Sequence, residues 1–331
     1  MKHSKQLFMH YVTVWARLLQ QATGTADPAT YLLTHDARTP LFYLEAMTRV
    51  LMTADEGDKK MARLNKQFKA LEDGLGSMDY YVGLLKDFKS VKLPEFLQNL
   101  ETHRIIAAAH MNTLLDKYGW FNDESKPVDG TKNKSKNALQ DLAKTIKKID
   151  WLSDKKLHRL LKKTYRSKIA ELKLQLKEPM REIENDVHEL RRDVRWLSIY
   201  PQAFKGFITL QADNLVPENL AKYATPEIVK SPFNQLAEVE GITHVLHLNT
   251  HAYYGMSWLI AELGKLKDQG LRVLALAHWL EEHKKLPATQ AEQAAIMIIG
   301  NGQMSTEQLL AKAQELAEQV RTDKVFSQLM K

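Results

Sequence analysis

Cysteine is absent from the 331 residues, which excludes disulfides, thiolate metal sites and cysteine nucleophiles. The absence fits a reducing compartment, and the cytoplasm is the expected location. Glycine and proline are scarce, with 14 and 10 residues, and no segment alternates between polar and apolar residues over the length of a strand. The sequence therefore predicts an all-α protein.

The sequence also lacks membrane spans and the common motifs of enzymes. No apolar run reaches the length of about 18 residues that a membrane span needs. A Walker loop, a dinucleotide fingerprint and a Gly-x-Ser-x-Gly nucleophile motif are all missing. We therefore expect a protein that is not an enzyme, uses no cofactor and has no membrane partner.

Positive charge is concentrated in one region of the chain. The net charge is +7, but residues 126–181 contain 17 Lys or Arg against 6 Asp or Glu, so the remainder is net acidic. This asymmetry favours a polyanionic partner, because counterions released from a polyanion supply much of the binding free energy.

Residues 187–197, with the sequence Val-His-Glu-Leu-Arg-Arg-Asp-Val-Arg-Trp-Leu, form the most informative stretch. At about 100° per residue the apolar residues fall on one helix face, which we expect to be buried. A neighbouring strip is basic and contains His188, Arg191, Arg192 and Arg195. Such strips usually face only solvent, but this one can also present several positive charges to one anion.

Part of this stretch occurs twice. His35 and Arg38 have the same His-x-x-Arg spacing as His188 and Arg191, and we expect one helix to carry each pair. Each motif is followed by a predicted helix that ends in Leu-Gly with an aspartate close behind: Gly76 with Asp79, and Gly264 with Asp268. Two landmarks repeated in the same order predict a duplicated unit, in which the aspartates pair with the arginines or orient the histidines.

The paired pattern resembles the CHAD family, the conserved-histidine α-helical domain, over about residues 28–285. In that family a helix with His-x-x-Arg precedes a helix ending in Leu-Gly-x-x-(Arg/Asn)-Asp, and the arrangement occurs twice. The resemblance implies two pseudo-symmetric antiparallel four-helix bundles with long helices. It also implies non-catalytic binding of inorganic polyphosphate, or a similar polyanion, in a basic cleft between the bundles, with polyphosphate granules as a further expected location.

The resemblance and the repeat together give a set of candidate polyphosphate-binding residues. The second copy would grip successive phosphates through His188, Arg191, Arg192 and Arg195. The opposite wall would contain His35, Arg38, Arg63 and Lys66. An ungapped alignment of the two Leu-Gly landmarks adds the pairs His247 with Lys59 and His251 with Arg63. Because phosphates favour protonated histidine, binding is expected to strengthen as the pH falls below about 7.

The first copy departs from the family pattern. Where the family usually has further arginines, this chain has Thr39, Pro40, Phe42, Tyr43 and Glu45. The second copy has Trp196 and Ser198 where more arginine would be expected. These departures leave three outcomes open, namely weak binding, binding mainly by the second half, or none.

The expected domains are a first helical bundle with its linker at residues 1–136, and basic helices with a second bundle at residues 137–331. Residues 119–136 are rich in Asn, Asp, Ser, Pro, Gly and Lys and are predicted to form an exposed loop. Residues 242–266 are predicted to form one long helix. Asp27 with Pro28 predicts a helix start, and Ser305 with Gln308 is typical of a capping box.

Two other functions stay open. His244, His247 and His251 would lie on one face of the helix predicted at residues 242–266, where three imidazoles suit a divalent metal and hence a metal-dependent phosphohydrolase. No His-Glu-x-x-His motif accompanies them. The lysine-rich helices within residues 137–177 would instead suit an RNA- or DNA-binding helical protein, so nucleic acid is a second expected partner.

Overall fold

The computed structural model describes residues 2–54, 59–121, 138–211, 216–300 and 302–330. Most of these residues are helical, in agreement with the predicted all-α class. Within the same ranges, no helix is long and apolar enough to cross a membrane. The predicted loop at residues 119–136 lies outside the described residues, apart from residues 119–121.

The chain divides into two compact units. Unit 1 contains Met1–Lys89 and Leu97–Leu157, and unit 2 contains Ser90–Phe96 and His158–Lys331. The division expected from the sequence, after residue 136, differs because the structure groups residues 138–157 with the first unit.

Among its described residues, unit 1 contains six helices and the start of a seventh. They are α1 (His3–Thr23), α2 (Pro28–Thr34), α3 (Arg38–Met52), α4 (Lys59–Asp87), α5 (Pro94–Tyr118), whose first three residues belong to unit 2, α6 (Ala138–Lys147) and the first turn of α7 (Asp154–Gln175). The predicted start of α2 is confirmed, since Asp27 accepts a hydrogen bond from the backbone N–H of Thr30 and Pro28 is the first helical residue.

Aromatic side chains fill the core of unit 1. The rings of Trp15 and Trp120 lie 5.9 Å apart, and Phe68 of α4 lies 6.1 Å from Trp120. Phe8 of α1 packs on Trp151 at 5.3 Å. These contacts hold α1, α4 and the segment after α6 together, because large aromatic rings bury much apolar area.

Unit 2 contains the rest of α7 and all later elements. They are a π-helical turn (Ile183–His188), α8 (Glu189–Ala203), β1 (Ile208–Gln211), α9 (Glu218–Ala221), α10 (Pro226–Lys230), a short 3₁₀ turn (Pro232–Asn234), β2 (Leu246–Asn249), α11 (Thr250–Lys284), α12 (Ala288–Ile299), α13 (Thr306–Thr322) and α14 (Val325–Gln328). The capping box predicted at Ser305 and Gln308 is confirmed at the start of α13.

Two short strands interrupt the helices of unit 2. β1 and β2 pair in parallel, with Ile208 opposite Leu246 and Gln211 opposite Asn249. The single helix predicted for residues 242–266 is therefore wrong, because residues 246–249 form β2 and α11 starts only at Thr250. The four-residue strand alternates too briefly to be recognised in the sequence.

α11 is the central helix of unit 2. It contacts α8, α12, α13 and the π-helical turn, and its inward residues are buried. Its start is fixed by Asn249, whose side-chain oxygen accepts a hydrogen bond of 2.8 Å from the backbone N–H of Ala252. The last residue of β2 therefore also caps the longest helix of the unit.

Replacement of this cap tests how strongly it supports unit 2. Asn249→Ala is expected to lower the free energy of unfolding by about 1–2 kcal/mol, because the substitution removes the cap and leaves a buried N–H unpaired. Chemical denaturation measures the change. Asn249→Asp keeps an acceptor oxygen and is the matched control, with a smaller expected loss. Equal stability of Asn249→Ala and the unmodified protein would contradict the assigned role.

Candidate anion-binding site

The basic helix predicted from residues 187–197 is present in unit 2. It begins as the π-helical turn Ile183–His188 and continues without a break as α8. The apolar residues that share one face are fully buried, as predicted: Val187, Leu190, Val194 and Leu197. Burial of that face fixes the rotation of the helix, so the basic strip beside it is held in a defined orientation.

Arg191 extends from α8 to the backbone of α11. Its Nε donates a hydrogen bond of 3.2 Å to the carbonyl oxygen of Ile260. A methyl group at Gly264 would lie 3.0 Å from the same Nε, so the guanidinium occupies space that only glycine leaves open. Burial lowers the pKa of Arg191 below its usual value. Within the described residues, no carboxylate lies within salt-bridge distance of Arg191.

His188 lies one turn before Arg191 and is held neutral by its surroundings. Burial, and then the positive charges of Lys267, Arg191 and Arg192, lower its pKa to about 4, while Asp268 acts weakly in the opposite direction. Its buried Nδ1 has no hydrogen-bond partner in the described part of the chain. A buried imidazole among cations gains a proton readily only when negative charge arrives.

The neighbouring charges are partly balanced by local ion pairs. Arg192 pairs with Glu189 at 2.7 Å, and both side chains are well exposed. Lys267 pairs with Asp268 at 2.8 Å, although Lys267 is largely covered and Asp268 is exposed. Ion pairs with at least one exposed partner contribute little free energy.

Together these residues form what we call the α8 cluster, defined as His188, Arg191, Arg192 and Lys267. The fourth predicted residue of the strip, Arg195, is half-buried and has a partner of its own. Lys267 is the member that the sequence motif did not supply. Lys267 lies three residues after Gly264. The Leu-Gly motif therefore predicted the helix that carries Lys267 but gave no reason to select its side chain.

The equivalent arginine of unit 1 is neutralised. Arg38 donates to Oε1 of Glu72 at 3.0 Å from Nε and 2.5 Å from Nη2, and to Oδ2 of Asp79 at 2.7 Å from Nη1. The predicted pairing of Asp79 with an arginine is thus confirmed in unit 1. In unit 2, Asp268 forms its ion pair with Lys267, and its negative charge also acts on Arg191 and His188, where it favours the protonated forms. Glu72 is 9% exposed, so its bond to Arg38 is shielded from solvent.

Gly76 gives Arg38 the same kind of space that Gly264 gives Arg191. A methyl group at Gly76 would lie 2.9 Å from Nη2 of Arg38. Glu72 lies four residues before Gly76, and Ile260 lies four residues before Gly264. The two arginines therefore contact equivalent positions, one helical turn before the glycine. The position four residues before the glycine supplies a carboxylate in unit 1 and only a backbone carbonyl in unit 2.

His35 does not share a helix with Arg38. α2 ends at Thr34, Asp36 has a left-handed backbone with φ of 54°, and α3 begins at Arg38. The single helix predicted to carry His35 and Arg38 is therefore wrong. The exposed ring of His35 stacks on Tyr31 at 3.8 Å, and its Nδ1 lies 2.8 Å from the carbonyl oxygen of Tyr31.

Unit 1 also has a buried carboxylate at Glu45, where the family pattern led us to expect further arginine. Glu45, at 1% exposure, forms hydrogen bonds of 2.9 and 2.7 Å with Nε and Nη2 of Arg49. Burial raises the pKa of Glu45, and the charge of Arg49 opposes that rise. Glu45 and Glu72 thus each hold an arginine in a shielded ion pair within unit 1.

The other cations predicted in unit 1 lie on α4. Lys59 and Arg63 share a surface cavity with Lys144 of α6, whereas Lys66 is exposed and lies outside that cavity. These cations belong to unit 1, whereas the α8 cluster belongs to unit 2.

The two histidines predicted by alignment occupy unlike elements. His247 is exposed on β2, with Nδ1 3.0 Å from Oγ1 of Thr209, whereas the aligned Lys59 begins a helix. His251 is in the first turn of α11, and its buried Nδ1 has no partner among the described residues. The ungapped alignment therefore fails at β2, a strand that has no counterpart in α4.

The histidine face required for the metal alternative is absent. His244 precedes β2, His247 is on the strand and His251 is on α11, so the three do not share a helix. In the ranges that the structure describes, no group of three or more His, Asp or Glu side chains is arranged to hold a metal ion.

A pair of glycine substitutions in α4 tests the packing of Arg38. Gly83→Ala is expected to raise the free energy of unfolding by about 0.5–1 kcal/mol, because alanine favours helix and nothing lies within 4 Å of the added methyl group. Gly76→Ala should lose this gain, since Arg38 must withdraw from Glu72. Thermal or chemical denaturation compares the two, and an equal gain in both variants would show that Arg38 does not occupy the space at Gly76.

Comparisons with known proteins assign no family to the chain. A scan against protein-family models gives no family model that matches the sequence. A search of curated proteins likewise gives no match, so the function has to be argued from the residues and their geometry.

Proposed function

We propose that the protein binds inorganic polyphosphate, or a chemically similar polyanion, without catalysis, at the α8 cluster of unit 2. The observation that supports this proposal most directly is the state of Arg191. Its charge is largely removed from solvent, and a single backbone carbonyl is its one hydrogen-bond acceptor among the described residues. An unpaired buried charge is costly, so an anion that supplies acceptor oxygens relieves that cost.

The chemistry of the cluster suits phosphate groups. A guanidinium has five N–H donors in a planar fork, and Arg191 uses only Nε in the contact with Ile260. The two Nη groups match the oxygens of a phosphate, with charge-assisted hydrogen bonds that are roughly twice as strong as neutral ones. Arg192 and Lys267 add charge for the neighbouring phosphates of a chain.

The proposal includes a common origin for the two units, as the resemblance to the CHAD family implies. It is supported by the equivalent placement of Arg38 and Arg191, each against the glycine of its own Leu-Gly motif. In this proposal unit 2 binds the anion, and unit 1 has exchanged that role for an internal ion pair with Glu72 and Asp79. The same chemistry requires no reacting group, so we propose binding alone.

Proton uptake by His188 accompanies binding in this proposal. The pKa of His188 is about 4 in the free protein, and adjacent phosphates raise it. Affinity should therefore strengthen as the pH falls through the pKa of the bound state towards 4, and should change little above about pH 7. Because His188 is buried, the pH range in which the affinity is expected to change lies below the range for an ordinary histidine.

Neutral substitutions at the two equivalent arginines test the site. Arg191→Gln is expected to weaken binding of a polyphosphate of fixed length by about tenfold or more, because a charge-assisted contact is worth about 1.5–3 kcal/mol. Arg38→Gln removes a positive charge that carboxylates already neutralise. The affinity of this variant for polyphosphate should stay within about twofold of that of the unmodified protein. Isothermal titration calorimetry at one ionic strength measures both.

Two outcomes would contradict the proposal. One is equal affinity of Arg191→Gln and the unmodified protein, with circular dichroism showing that both are folded. The other is tighter binding of single-stranded RNA than of polyphosphate at equal charge and salt, which would favour a nucleic-acid-binding protein.

The pKa of His188 gives a second test, by NMR titration of the imidazole signals with His188→Gln used for assignment. The signal of His188 is expected to titrate near pH 4 in the free protein and at higher pH when polyphosphate is bound. Since its folded pKa lies below the unfolded value of about 6.5, its neutral form stabilises the fold above pH 6.5. That stability is lost as the pH falls from 6.5 towards 4, and His188→Gln should lose less over this range.

The result that counts against this assignment is a free-protein pKa near 6.5. An unchanged pKa in the presence of saturating polyphosphate would place the anion away from His188.

A further inference from the structure

The part of α7 that belongs to unit 2 has one face made of cations, which we call the α7 basic face. At about 100° per residue, five basic side chains fall within an arc of about 100°. All five are exposed, and they are Arg159, Lys162, Lys163, Arg166 and Lys173. At about 1.5 Å per residue, the face is about 21 Å long.

The opposite face of α7 is buried and fixes the direction of the α7 basic face. Its buried residues include Leu161, Tyr165, Ile169 and Leu172. The hydroxyl of Tyr165 donates a hydrogen bond of 2.6 Å to the carbonyl oxygen of Leu197 on α8. Rotation of α7 would break this bond and expose apolar side chains, so the five cations are held together toward solvent.

Acidic side chains do not balance the α7 basic face. Glu171 is the one acid between His158 and Gln175, and it pairs with Lys168 at 2.9 Å. Lys168 lies on the other side of the helix, where Asp193 of α8 also pairs with it at 3.1 Å. In the described ranges, none of the five cations of the face forms an ion pair.

The spacing of these cations makes them repel one another. Arg159 and Lys163 are four residues apart, and so are Lys162 and Arg166. Like charges at this spacing are neighbours on a helix surface and destabilise the helix. A polyanion that lies along the face relieves the repulsion, and the counterions that it releases add to the binding free energy.

The composition of the α7 basic face favours a double-stranded nucleic acid as that polyanion. Proteins that bind single strands stack the bases on exposed aromatic rings, whereas Tyr165 is buried on the opposite side of α7. The face also has no Asn or Gln, the side chains that commonly read adenine. A duplex has one negative charge per about 1.7 Å of its axis, so a straight face about 21 Å long can meet phosphates along its whole length.

We propose that the α7 basic face binds the phosphate backbone of a double-stranded nucleic acid without sequence preference. Contacts to phosphates fix the position of a protein on a duplex but do not read its sequence. The face includes no residue of the α8 cluster, so the proposal is separate from the function proposed above.

Neutral substitutions on the face test this proposal. Fluorescence anisotropy measures the binding of labelled duplex DNA and duplex RNA of about 20 base pairs at several salt concentrations. The background is Arg191→Gln, which removes the central cation of the α8 cluster. Lys162→Gln with Lys163→Gln is expected to weaken binding of the preferred duplex by about tenfold or more. It should also reduce the slope of log affinity against log salt by about 2, since each lost phosphate contact reduces that slope by about 1.

The matched control is Lys205→Gln with Lys230→Gln in the same background. It removes the same charge from two exposed lysines of unit 2 outside α7, and the affinity should fall by less than about twofold. The duplex that binds more tightly shows whether the backbone is that of DNA or of RNA.

Three results would overturn the assignment. They are equal losses in the two double variants, no measurable binding of either duplex, and tighter binding of a single strand with the same number of phosphates. Circular dichroism establishes that each variant is folded. If the double variant on α7 unfolds, Lys163→Gln alone replaces it, with an expected loss of about threefold and a slope reduced by about 1.

Discussion

A guanidinium placed against the backbone of a neighbouring helix is the contact on which the electrostatics of both units depend. In each unit an arginine at the start of one helix reaches the glycine of a Leu-Gly motif on another, and the missing side chain makes room for it. The contact removes a positive charge from water, which is unfavourable unless an acceptor compensates it. The nature of that acceptor separates the two units.

In unit 1 the compensation is internal. Glu72 and Asp79 hold Arg38 in three hydrogen bonds, so its charge is compensated within the unit. In unit 2 the equivalent position is Ile260, whose backbone carbonyl carries no net charge. Burial, and then the positive charges of Lys267, Arg191 and Arg192, lower the pKa of His188 to about 4. Two differences in sequence, Glu72 against Ile260 and Asp79 against Lys267, thus account for the opposite electrostatics of two similar contacts.

Much of this arrangement was predictable from local patterns. The spacing of Val187, Leu190, Val194 and Leu197 predicted the buried face of the basic helix, and Asp27 with Pro28 predicted the start of α2. Patterns with a strong period or a specific cap depend on neighbours in sequence, so they can be recognised without coordinates.

Other features depend on contacts between distant residues and were missed. The pairing of Arg38 with Glu72 joins residues 34 positions apart, and no motif marks Glu72 as a partner. β2 is only four residues long and derives its stability from β1, so its sequence looked helical. Lys144 and Lys148 were recognised as part of a basic region, but their meeting with Lys59 and Arg63 required the fold of unit 1.

The difference between the two arginines can be observed directly by NMR of their side-chain Nε–Hε groups during one titration with polyphosphate. We expect the signal of Arg191 to shift with saturation, while the signal of Arg38 stays in place because its donors are already bound to carboxylates. A shift of Arg38 with no change at Arg191 would contradict the central claim that the uncompensated guanidinium is the anion site.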